Sequence, residues 1–362
     1  MDITSATVTA FYLFEVAEHI DLTLLRTLIR GGETARLTSK STAPSYMQYQ
    51  TPPVVADGDM LGIGAIAGFR VRVKFFDYGV MSLALSRPFA GSWQELVAIS
   101  QEYIENDALE RHAEGAARHV LARCAETMTK PHETFLSEDY LTLAVTGLAV
   151  PVTAEQLLAE HSRELALLLR GERAPLSRQE EEEVLRNRLS YLADDLVIPT
   201  WNGAFIYDTE SGAAAALELF EFANSQLLEF RYYDDLLDTE LGRIYATLQK
   251  TSWWNSVSGR GYIKAANQLH SLFIDVNEIT DRTENALKFV GDIYAARVFS
   301  LVAARLGLVR WKQSVEDKLE TLDDIYRFAV EQVGISRGQF LELTIIIILV
   351  FELVLFFLGI MK

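Results

Sequence analysis

Glu352 is the side chain in this sequence with the clearest electrostatic cost. It stands inside Leu343–Met361 (LTIIIILVFELVLFFLGIM), where it is the sole ionisable group. A carboxylate at mid-bilayer costs about 2.5–3.5 kcal/mol on insertion scales, so it must face protein or water. Two chemistries suit it. One is a protonated carboxyl in an interhelical hydrogen bond worth about 1 kcal/mol; the other is a ring of carboxylates from several copies lining a cation path. Glu342, at the start of the same run, falls at the expected interface and is solvated.

Other constellations carry less. Gly62-Ile-Gly64-Ala-Ile-Ala67 matches G-x-G-x-x-A, but a dinucleotide fingerprint must follow a strand and open a helix, whereas a loop precedes this one and a strand follows. His112, His119 and Cys124 share a helix at spacings that do not bring three metal ligands to one face. Asp234, Asp235 and Asp238 read as a solvated helix face. Trp253 and Trp254, in a break between helices with Gly259 and Gly261 close behind, form a candidate contact surface. There is no nucleophile elbow, P-loop or H-E-x-x-H motif, so no catalytic residue, metal or cofactor is assigned.

The elements that must position these groups follow from pattern. At about 1.5 Å per residue, 343–361 forms a helix of roughly 28 Å, close to the hydrocarbon thickness of a bilayer, and its stretch Ile345–Val350 is apolar all round. Only Lys362 follows, so the expectation is a tail anchor over 341–361 in the bacterial inner membrane, with the bulk of the chain in the cytoplasm. Arg327 and Arg337 before the anchor favour that orientation. The start of the chain lacks the basic region of a secretory signal and the Arg-rich face of a transit peptide. One cysteine excludes an internal disulfide. A net charge of -17 opposes direct nucleic-acid binding over most of the surface.

Phe11–Ala17 reads as a buried strand and Asp21–Ile29 as an amphipathic helix begun by Asp21. A polar run, Glu33–Asp59, reads as a long loop. Phe69–Phe75 alternates apolar and basic residues as a half-exposed strand and pairs with Val80–Ser86 through Asp77-Tyr78-Gly79. Ser92-Trp-Gln-Glu95 is a capping box for a helix to about Met128, and Leu141–Val150 is a further strand. The order β-α-β-β-α-β predicts an α+β, ferredoxin-like head over 1–150, a four-stranded antiparallel sheet with both helices on one face. A connector over 151–208 holds two capped helices, begun at Thr153 and Ser177, and a hairpin around Asn202-Gly203. The acidic run Glu180–Glu183 is the first turn of the second helix. An α-helical stalk over 209–334 then carries apolar seams at heptad spacing, Leu269, Val276 and Val290 in one and Phe273, Leu287, Tyr294, Leu301 and Leu308 in the other, which predicts a coiled coil and a homo-oligomer. Gly334 ends the stalk, and Ser336 starts the membrane helix afresh.

The C-terminal half resembles the required-for-meiotic-nuclear-division, or YagE-type, family. The residues that carry the resemblance are Tyr191–Asp208, the pairs Leu272-Phe273 and Val276-Asn277, and above all Leu341–Glu352 (LELTIIIILVFE); in the N-terminal half they reduce to Phe75-Phe76-x-x-Gly79. Residues 279–289 carry no Pro and no Trp where that family has both. The resemblance implies a membrane-anchored, oligomeric protein with a cytosolic partner linked to translation at the ribosome, and it supplies no catalytic residues. The function expected is a non-enzymatic, membrane-anchored scaffold. The rival is an oligomeric cation channel or transporter component using Glu352.

Overall fold

Strand β1 (Ile3–Ile20) runs through the centre of the structure because its residues are apolar on both sides, as a strand covered on both faces must be. The computed structural model describes residues 2–30, 51–104, 106–249 and 293–357. β1 pairs antiparallel with β4 (Val80–Gly91) on one side and β5 (Met128–Leu148) on the other. Outside β4 lie β3 (Arg70–Phe75) and β2 (Val54–Asp57), both antiparallel. Outside β5 lies β7 (Gly203–Tyr207), which pairs parallel to it, and then β6 (Leu196–Pro199). The described sheet is therefore seven-stranded and mixed, in the order β2-β3-β4-β1-β5-β7-β6.

That order corrects the expected four-stranded ferredoxin-like head. Tyr140 shows why the hairpin of the supposed connector adds to the sheet. Its hydroxyl donates to the Gly203 carbonyl at 2.8 Å, while Leu141 to Val145 take the whole length of β7 as a ladder. Burial of the aromatic ring and satisfaction of its hydroxyl both require β7 to be there.

The helices divide between the two faces. Helices α1 (Leu22–Arg30), α2 (Trp93–Tyr103), α3 (Asp107–Cys124), α4 (Ala154–Arg170) and α5 (Arg178–Arg186) pack on the face that carries Tyr12, Phe14 and Val16 of β1. Their starts follow their caps. Asp21 Oδ1 accepts from the Thr23 and Leu24 amides, Ser92 and Thr153 form reciprocal boxes with Glu95 and Gln156, and Ser177 accepts from Glu180. The helix expected to run from Trp93 to about Met128 is broken at Ile104, whose backbone is extended, and restarts on Asn106, whose side chain accepts from Ala108 and Leu109. The opposite face receives α6 (Glu210–Gln249): Phe220 stacks on Tyr140 at 5.7 Å. α7 (Ile293–Arg305) meets α6 through Phe299 and Phe222, and meets Tyr191 and Asp195 through Tyr294.

The described chain divides into two compact units, 1–232 with 283–310, and 233–282 with 311–362. The sheet and its helices belong to the first. In the second, Lys318 of α8 (Leu308–Phe357) lies 2.7 Å from both Asp234 and Asp238. The expected coiled coil is corrected at the seam positions within the described residues. Tyr294 packs on Tyr191, and Leu308 is buried in the first unit, so their apolar faces are used by the head. Leu269, Phe273, Val276, Leu287 and Val290 lie outside the described residues.

The tail anchor is corrected as well. Among the described residues no helix is long and apolar enough to cross a membrane. The run that begins at Leu343 is the end of α8, which passes through Gly334, Ser336 and Gly338 without interruption, and residues 358–361 lie outside the described residues. Gly334 does not stop the helix, because a glycine inside one costs only about 1 kcal/mol, less than propagation over several turns restores.

Two glycines give a paired test of this architecture. Gly79, in the β3–β4 turn, has φ +95° and sits where an added Cβ would lie 1.8 Å from the Ala17 carbonyl oxygen, while Val16 donates to its own carbonyl at 3.0 Å. Gly79→Ala is expected to destabilise the head by about 3 kcal/mol or more, because backbone must move. Gly115, exposed on α3 with open space around it, is expected to gain about 0.5–1 kcal/mol on mutation to Ala. Urea unfolding of the two variants checks both signs.

Candidate functional site

On β3, residues Val71, Val73 and Phe75 face α1–α5, which sends Arg70, Arg72 and Lys74 to the α6 side. Lys74 is not half-exposed as the alternating pattern implies; it is 1% exposed. Its Nζ donates to Glu218 Oε1 at 2.7 Å and pairs with Glu221, both from α6. Glu218 and Glu221 are one turn apart and so project from one helix face. Burial by itself lowers the Lys74 pKa, but Glu221 and then Glu218 outweigh it, and the ammonium is held above its ordinary range. Beside it Ser82, directly opposite Lys74 on β4, buries a hydroxyl with no hydrogen-bond partner. Tyr78, whose phenol burial pushes up, shares a 2.6 Å hydrogen bond with Ser225.

A second group lies at an irregularity between β1 and β5. The register passes from Glu15↔Leu136 to Ala17↔Pro131, so one β1 residue, Val16, spans four β5 residues, His132 to Phe135. Such a bulge bends the strand and re-aims side chains. Lys130, just before it, holds φ +50°, and its ammonium pairs with Glu18 at 2.6 Å. Glu15 is 1% exposed, with Oε2 making no hydrogen bond, and His132 Nε2 lies 3.8 Å from its other oxygen. The Tyr232 ring is 4.8 Å from the imidazole.

The two partners are within ion-pair reach, yet burial drives both toward neutrality. It raises the Glu15 pKa well above the carboxylate range and lowers that of His132, against a smaller opposing pull from Glu18. Burial thus disfavours the charged form of both groups, and neither Glu15 Oε2 nor His132 Nε2 makes a hydrogen bond. The bulge also arches over a cavity of about 220 Å³, walled by Val16, Leu121, Met128 and Phe135, with Arg118 and His132 as its polar groups.

The residues singled out in the sequence lie elsewhere. Glu342 and Glu352 are exposed on α8, and Trp253 and Trp254 lie outside the described residues. Asp234 and Asp238 hold Lys318, and Asp234 also accepts from Ser314 at 2.6 Å, so an internal cation fills the place a metal would take. Gly62 ends a short 3-10 turn, Gly58–Leu61, in the loop before β3. Cys124 is buried at the end of α3, where burial pushes its thiol up. Lys74, Glu218, Glu221, Glu15 and His132 escaped notice there. The available signal was a carboxylate in the middle of the apolar strand FYLFEVA, and carboxylates within the otherwise apolar start of α6.

Two measurements follow. Lys74→Met strands two buried carboxylates and is expected to cost about 3–5 kcal/mol, most of which returns when Glu218→Gln and Glu221→Gln are added; urea midpoints of the single and triple variants read this. Glu15 has a raised native pKa, so the native chain binds a proton that the unfolded chain has released above about pH 4.5. Its contribution to stability is fully present below that pH and is lost as pH rises through the native pKa, by up to about 1.4 kcal/mol per pH unit. Glu15→Gln therefore gains stability relative to the parent between pH 5 and pH 8. His132, common to both proteins, cancels from the difference.

Comparison with known proteins corrects the family. Residues 5–214 match a family profile described as "Uncharacterized protein MJ0711, N-terminal domain". The Uncharacterized protein MJ0711 of Methanocaldococcus jannaschii is 25% identical over 201 residues, which is 56% of this chain and 61% of that protein, so the match spans about three fifths of the relative's length. No solved structure matches. The resemblance to the required-for-meiotic-nuclear-division family is overturned. It rested mostly on residues beyond 214, where an apolar helix with acidic residues at its ends constrains few side-chain identities. With the matched region covering β1 to the start of α6, the chain belongs to the family of the MJ0711 N-terminal domain.

Proposed function

We propose that this protein is a non-enzymatic scaffold that assembles with further copies of itself through the apolar end of α8. The observation that carries the reading is the exposure of Ile345, Ile346, Ile347, Ile348, Leu349, Val350 and Phe351, each 49–62% open to solvent. Successive helical residues turn by about 100°, so this run is apolar on every side of the helix. A contiguous exposed surface of that kind marks an interaction site. Several copies of the same helix bury it mutually, and a closed symmetric arrangement satisfies all of them at once.

The charged groups of the head support a non-catalytic role. Lys74, Glu218, Glu221 and Glu15 are buried, and Lys74 is paired with both Glu218 and Glu221 within the fold. The translation-linked partner implied by the earlier resemblance is not part of the proposal, since that resemblance is overturned.

Light scattering on the purified full chain tests the reading. The expected result is a discrete oligomer, reduced to monomer by Ile347→Lys with Val350→Lys, with the circular dichroism of the head unchanged. A monomeric parent, or an oligomer indifferent to the double variant, overturns it. So does a chain that floats with neutral phospholipid vesicles and is monomeric in detergent, because the apolar run would then be covered by lipid.

A further inference from the structure

We propose that the cavity under the His132–Phe135 bulge is a binding site for a small organic carboxylate with a single-ring or short branched apolar body, gripped by Arg118. The cavity exists because four β5 residues span one β1 residue, which lifts the strand away from Val16. Its volume, about 220 Å³, lies below the roughly 300–1,000 Å³ of drug-sized sites, which limits the ligand to about one ring. Most of its lining is hydrocarbon, with Arg118 and His132 as the polar groups, which suits an anion that carries an apolar body.

Arg118 sets the charge of the ligand. Its guanidinium lies over the Phe135 ring at 4.5 Å, which fixes the plane of the group at the cavity wall. Nε and Nη2 both donate to one oxygen of Glu114, at 3.1 and 2.7 Å, leaving the Nη1 hydrogens and the second Nη2 hydrogen as an end-on fork for an arriving oxyanion. The Arg118–Glu114 pair is exposed on both sides and contributes little by itself, so redirecting part of the guanidinium costs little. A planar carboxylate is the anion a guanidinium fork matches.

His132 supplies the second polar contact, and here the fold contains a further, independent sign. Glu15 Oε2 and His132 Nε2 are both buried and make no hydrogen bond. Buried polar atoms in a native fold are nearly always satisfied. A hydrogen-bonding ligand on His132 reorients the imidazole toward Glu15 and relieves the pair. Burial disfavours an ionised Glu15, which lessens the repulsion an arriving carboxylate meets there. The site is separate from the apolar end of α8, so its failure leaves the scaffold reading untouched.

Fluorine NMR of fluorobenzoate with the full-length chain tests the proposal, with fluorobenzamide as the uncharged analogue of the same shape. Saturable one-to-one binding of fluorobenzoate is expected, weaker by about ten- to a hundredfold for fluorobenzamide and for Arg118→Gln, as follows from losing one charged hydrogen bond. Leu121→Trp, which fills the cavity from a half-buried position, is expected to abolish binding. Arg118→Gln should melt within a few degrees of the parent, so lost binding is not lost fold. No saturable binding, equal binding of the amide, or an Arg118→Gln variant that binds like the parent overturns the assignment.

Discussion

The seating of α6 on the sheet depends on Lys74. An ammonium removed from water is costly unless carboxylates meet it, and among the described residues Glu218 and Glu221 do so on that face of β3. Turning α6 by one residue would swing both carboxylates away by about 100° and strand all three charges. The pairing therefore fixes the rotation of α6, and with it the stacking of Phe220 on Tyr140 and the Tyr78–Ser225 hydrogen bond. Apolar packing tolerates small slips that this ion cluster does not.

The two faces of the sheet solve the same burial problem differently. Toward α1–α5 the inward residues are almost all hydrocarbon and aromatic, and the helices are positioned by capping and shape. Toward α6 the interface carries Thr9, Glu15, Lys74, Ser82 and Thr142 from the strands, against Glu218, Glu221, Asn224 and Ser225 from the helix. Such a layer is stabilising only when its members are matched, so it contributes more to uniqueness of the arrangement than to free energy. Buried atoms there without a hydrogen bond include Ser82 Oγ, Asn224 Oδ1, Glu15 Oε2, His132 Nε2 and the Glu221 carboxylate oxygens, the last still ion-paired with Lys74. Glu15 Oε2 and His132 Nε2 sit together at the bulge, where the ladder is interrupted.

The bulge and the exposed end of α8 give the protein two surfaces of opposite kind. One is a small, partly open hollow with a guanidinium at its wall, the other a helical surface apolar on all sides. The match of residues 5–214 to the family profile places the bulge inside the shared domain and the end of α8 outside it. The cavity residues lie within the matched range, and the apolar helix end lies in the remainder of this chain.

Local signals in the sequence determined local structure. Asp21, Ser92, Thr153 and Ser177 each announced a helix start, because a cap needs only residues within one turn. Alternation over Phe69–Phe75 announced a strand, and Asp77-Tyr78-Gly79 its turn. Whether Lys74 faced water or a helix was not written in that alternation, since the answer lay with Glu218 and Glu221, far along the chain. The width of the sheet was likewise invisible: β6 and β7 read as a hairpin, but only tertiary contact with Tyr140 and Leu141 could say that it joins β5 in parallel. Gly334 and Ser336 gave a plausible stop and restart that helix cooperativity in α8 overrode. The bulge left no mark in composition, because register is a property of two strands together. What one strand or one turn can decide was legible in the residues; what two distant segments decide jointly, including the buried charges and the cavity, came only from their meeting.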